Sequence, residues 1–109
     1  MTNQEAVNKL NKQEIKNFTD ADYQDYYTYP TMEEVIIIVG RMSGQGTRTN
    51  PVLPYKTTFN HYIYFQTPDT GILVDLRAKQ LDNGGFVIQE LTMKAYNAME
   101  RRISEALSA

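Results

Sequence analysis

The chain has 109 residues, a net charge of −2 and no cysteine. That length makes one domain, 1–109, the expectation, and it is enough to bury a core without staples. The missing cysteines exclude disulfides, thiol nucleophiles, thiolate zinc sites and iron–sulfur clusters.

The N-terminal stretch MTNQEAVNKLNKQEIKNF is polar and holds no apolar run of signal-peptide length, so a cytoplasmic protein without a membrane segment is expected. Thr2-Asn3-Gln4-Glu5 matches a capping box, and Val7, Leu10, Ile15 and Phe18 share a face at 3.6 residues per turn. A first helix is predicted from about Asn3 to Phe18. Asp20–Pro30, DADYQDYYTYP, follows neither period and reads as an ordered loop or short helical turn with four tyrosines.

Val35–Val39 are five consecutive β-branched residues, so Glu34–Gly40 reads as a buried strand. The loop after it is rich in glycine and hydroxyls, and Pro51 and Pro54 prevent a helix from following at once. Lys56–Thr67, KTTFNHYIYFQT, alternates over twelve residues. Phe59, His61, Ile63 and Phe65 take one face; Tyr62, Tyr64 and Gln66 take the other. Pro68-Asp69-Thr70-Gly71 has turn chemistry. Ile72–Leu81 alternates again, with Leu76 and Ala78 inward and Asp75, Arg77 and Lys79 outward. Asp82-Asn83-Gly84-Gly85 is a hairpin signal. Phe86–Leu91 returns as a strand. Thr92 then caps a last helix, in which Ala95, Met99, Ile103 and Leu107 form the buried stripe. The fold class is therefore α+β: an antiparallel sheet of about four strands, open or curled into a partial barrel, flanked by N- and C-terminal helices.

The glycine loop is the natural place to look for phosphate chemistry. A P-loop counted from Gly40 meets Gln45 where its second glycine belongs, and no lysine follows. A dinucleotide fingerprint begun at Gly44-Gln45-Gly46 meets Thr49 in place of its third glycine. Ser43 lacks the glycines of a nucleophile elbow. His61 is the only histidine and sits on the apolar-patterned face of its strand, where it reads as a packing residue. No carboxylate pair has a spacing that specifies acid–base work, and the acids of 20–34 lack EF-hand spacing. No enzyme, cofactor or metal site is expected.

Charge is unevenly spread. Thr19–Glu34 holds five acids and no base; Val35–Pro68 holds Arg41, Arg48 and Lys56 and no acid. Two readings follow for a small, non-enzymatic intracellular binding protein. The first is a regulatory RNA or single-stranded nucleic-acid binder. Tyr62 and Tyr64 would stack bases, and Arg41, Arg48, Arg77 and Lys79 would take phosphates. The second is a protein-interaction or assembly module docking through the tyrosines of Tyr23–Tyr29. The first requires all six residues to converge on one open face. A helix packed over that face would instead bury the rings as core.

Overall fold

The computed structural model describes Glu5 and residues 18–56 and 62–108. The helix expected over Asn3–Phe18 lies outside these residues except at helical Glu5 and at Phe18. A short 3-10 turn, Asp20–Asp22, leads into β1 (Tyr23–Tyr29), α1 (Met32–Ser43), β2 (Leu53–Lys56), β3 (Tyr62–Gln66), β4 (Leu73–Gln80), β5 (Phe86–Leu91) and α2 (Met93–Ser108). Five antiparallel strands form one sheet in the order β1-β5-β4-β3-β2. The class is α+β as expected, but the sheet is open: β1 and β2 are its two edges rather than the seam of a barrel.

Three segments depart from the sequence reading. Glu34–Gly40 is not a strand but the body of α1. Thr31 caps the helix: its Oγ1 accepts from the Glu34 N–H at 3.3 Å. Glu33 and Glu34 lie at the positive end of the helix and Arg41 in its last turn, the arrangement the helix dipole favours. Gly44, at φ 68°, ends it, and its N–H returns to the Gly40 carbonyl. The β-branched run costs a helix a few tenths of a kcal/mol per residue. Val35 and Val39, one turn apart, are fully buried, worth roughly 1.5–3 kcal/mol each. Burial outweighs propensity, and the surplus isoleucine, Ile37, is left 53% exposed.

Tyr23–Tyr29 is a strand instead of a loop, paired with β5 from Tyr23↔Leu91 to Tyr29↔Phe86. The twelve-residue strand expected over Lys56–Thr67 is the end of one strand and most of the next. β2 and β3 are antiparallel neighbours in register Leu53↔Gln66 to Lys56↔Ile63, and residues 57–61, His61 included, lie outside the described residues. Pro54 sits in β2, an edge strand, where its missing N–H costs no ladder bond on the open side.

The rest follows the sequence closely. The β3–β4 turn closes with Thr67 N–H to the Ile72 carbonyl, and Gly71 is at φ 68°. The β4–β5 turn closes with Leu81 N–H to the Gly85 carbonyl, and Gly84 is at φ 87°. Thr92 Oγ1 accepts from Ala95 N–H and starts α2.

Alternation then divides the sheet into two faces. Phe65, Leu76, Ala78, Phe86 and Ile88 meet Val35 and Val39 of α1 on the first. On the second, α2 buries Ala95, Met99 and Ile103 against Leu91 with Phe18 and Tyr23 beside them, while Leu107 of the expected stripe is exposed. Among the described residues no helix is long and apolar enough to cross a membrane.

Candidate functional site

The second sheet face carries a polar row that crosses four strands. The pairings Tyr64↔Arg77, Arg77↔Gln89 and Asp25↔Gln89 align these residues side by side. Arg77 Nε donates to Gln89 Oε1 at 2.8 Å, and Gln89 Nε2 donates to Asp25 Oδ1 at 2.7 Å. A longer contact, 3.5 Å, runs from Arg77 Nη1 to the Tyr64 hydroxyl. Arg77 Nη2 pairs with Asp20 Oδ1 at 3.1 Å, and the Tyr62 hydroxyl donates to the same oxygen. The guanidinium lies between two rings, 3.5 Å from the Tyr23 centroid and 3.6 Å from that of Tyr62.

Arg77 is 2% exposed as a result. Burying a charge is costly unless it is paired and hydrogen-bonded, and here both ring faces and the donor edges of the guanidinium have partners. The Tyr62 hydrogen bond first, and the Arg77 guanidinium next, hold the Asp20 carboxyl below its ordinary value. The same bond to Asp20 raises the Tyr62 phenol, and burial raises that of Tyr23. The network uses Arg77, Tyr62 and Tyr64 internally. Tyr64 is as buried as Arg77 and packs with Leu73 and Tyr55. Neither of these two is available as an open platform or a phosphate clamp. Lys79 stands beside Tyr62 in register and is exposed.

Arg41 and Arg48 are elsewhere. They line a groove of about 770 Å³ between the outer side of α1 and the loop after it, floored by Ile36, Ile37, Pro51 and Val52. Both are exposed, and among the described residues neither forms an ion pair. Because α1 packs on the first sheet face, this groove and the Tyr62–Arg77 cluster are separated by the sheet. The six residues named from sequence therefore form two groups, not one surface.

The third feature is one the sequence reading placed in a loop. β1 is an edge strand, and among the described residues it has a neighbour on one side only. Five of its seven residues are exposed. Between Asp25↔Gln89 and Thr28↔Val87 the strand carries one extra residue, a bulge. It turns Tyr26 and Tyr27 outward, with Tyr27 75% exposed. A hydrogen bond to Glu90 raises the Tyr26 phenol. The segment 19–34 that contains this strand holds five acids and no base.

Among the described residues no three His, Asp or Glu side chains converge to hold a metal ion. Comparison with family models, with characterised proteins and with solved structures returns no match.

Proposed function

We propose that this protein is a non-enzymatic interaction module of the cytoplasm that docks a basic segment of a partner protein along β1. One observation carries the reading: among the described residues β1 is a sheet edge, and its bulge presents Tyr26 and Tyr27 to solvent within an acid-rich segment. An open edge offers backbone donors and acceptors to an added strand, and side-chain positions beside it supply specificity. Tyrosines give large contact area with few rotatable bonds, and their hydroxyls stay wet at the rim. The local excess of carboxylates selects a partner bearing lysine or arginine, which also stacks on tyrosine.

A second reading rests on Arg41 and Arg48. Two arginines on one groove, without an ion pair among the described residues, form a cationic track beside the glycine loop, the reduced form of a regulatory nucleic-acid interface. It loses the buried Arg77 and Tyr64 as contacts.

Affinity capture with paired variants tests both. The first reading expects a protein that survives nuclease treatment, is lost with Tyr26→Ser/Tyr27→Ser and is kept with Arg41→Ser/Arg48→Ser. Retained nucleic acid that disappears only with the arginine pair would overturn it in favour of the second.

A further inference from the structure

Between α2 and the sheet face that carries Arg77 lies a cleft of about 300 Å³. Four aromatic residues line it, Phe18, Tyr23, Tyr64 and Tyr96, together with the carboxylates Asp75 and Glu100. No lysine, arginine or histidine is among its described lining residues. Asp75 is half-buried and, among the described residues, has no ion pair. Burial first, then the neighbouring Glu90 and Glu100, raises its carboxyl above the ordinary value. Glu100 likewise raises the Tyr96 phenol. These groups gather negative potential with no counter-charge among the described lining residues.

We propose that this cleft binds a small organic cation, an alkylammonium whose apolar substituents rest on the tyrosine rings while Asp75 and Glu100 balance its charge. The rings present the negative faces of their quadrupoles, and attraction to a cation grows as water is excluded. The same sheet face already holds one cation this way, the Arg77 guanidinium between Tyr23 and Tyr62. That charge is met by Asp20, and among the described residues neither cleft carboxylate has an ion pair. A volume of about 300 Å³ is at the small end of ligand sites, suited to a choline-sized molecule rather than a nucleotide or peptide. A metal ion is the poorer occupant, because no third carboxylate or imidazole of the described residues joins the two acids.

The test is calorimetric titration of the full chain with choline, and with 3,3-dimethylbutan-1-ol, its neutral isostere. We expect saturable choline binding, with the isostere weaker by about tenfold or more. Asp75→Asn and Tyr96→Leu should each weaken choline by about tenfold, and a thermal melt of each variant checks its folding. Should Asp75→Asn not fold, Tyr96→Leu carries the same comparison. Equal affinity for the neutral isostere would show a merely apolar cleft and overturn the proposal. So would choline affinity unchanged in a folded Asp75→Asn, or no choline binding at about 20 mM, a range that includes weak sites of a few kcal/mol. Tyr26→Ser/Tyr27→Ser should leave choline binding intact, which separates this site from docking at β1.

Discussion

Replacing Arg77 by alanine separates a structural arginine from a ligand-binding one. The side chain is 2% exposed, so its removal leaves a hole between the Tyr23 and Tyr62 rings and strips Gln89 Oε1 of its donor. An orphaned buried acceptor costs about 1–3 kcal/mol. Each ring stacking contributes roughly 0.5–2 kcal/mol, nearer the upper value when enclosed. The Asp20 pair adds little, about 0–1 kcal/mol, because that carboxylate side chain is 72% exposed. Their sum spans about 2–8 kcal/mol, and because contacts made by one side chain are not additive the expected loss for Arg77→Ala lies in the lower half of that span, about 3–4 kcal/mol, with about half that for Arg77→Met, which keeps the packed stem. In a urea melt with a slope near 1.5 kcal/mol/M, the alanine change should lower the midpoint by roughly 2 M with the slope unchanged. A midpoint within about 0.3 M of the parent would refute the buried-network account and return Arg77 to the list of free cations.

Two further perturbations follow from local geometry. Gly44 and Gly46 both have positive φ, but a Cβ on Gly44 meets open space, whereas one on Gly46 would stand 2.8 Å from the Val52 backbone nitrogen. Gly44→Ala should therefore cost about 1 kcal/mol of left-handed strain and Gly46→Ala clearly more, as read from paired urea melts. Asp75 is destabilising in the folded state once ionised, since its folded pKa lies above the unfolded value of 3.8. That penalty is absent below 3.8, grows as pH rises through the folded pKa and is complete above it. Asp75→Asn should raise the melting temperature at pH 7 and lose that advantage below pH 3.8; a gain that did not shrink on acidification would contradict the assignment.

How far the fold was legible depended on where one period held without interruption. β4 alternates cleanly from Val74 to Lys79 and the turn after it carries Asn-Gly chemistry, so the faces of β4 and the start of β5 could be read directly. The capping oxygen of Thr92 marked α2 for the same local reason. β1 was opaque because its bulge inserts a residue between Asp25 and Thr28, and that breaks the two-residue period a strand is recognised by. α1 was misread because its five β-branched residues outweigh, on propensity alone, the quieter signal of Thr31 three residues before Glu34. A short apolar run has no period of its own, and only the sheet it covers decides its form. The candidate site shows a different limit. Alternation rightly placed Tyr62, Tyr64 and Arg77 on the face opposite Ile63 and Leu76. It carries no information about what lies over that face, here the Asp20–Asp22 turn and Tyr23, both reached from a distant part of the chain.

Docking along β1 is tested most directly by photocrosslinking in cells, with a benzophenone amino acid placed at Tyr27 and, in a parallel strain, at Arg48. The account predicts a discrete protein adduct from position 27 that competes with a basic extended peptide, and no such adduct from position 48. Nucleic-acid adducts from position 48 with none of any kind from position 27 would contradict it.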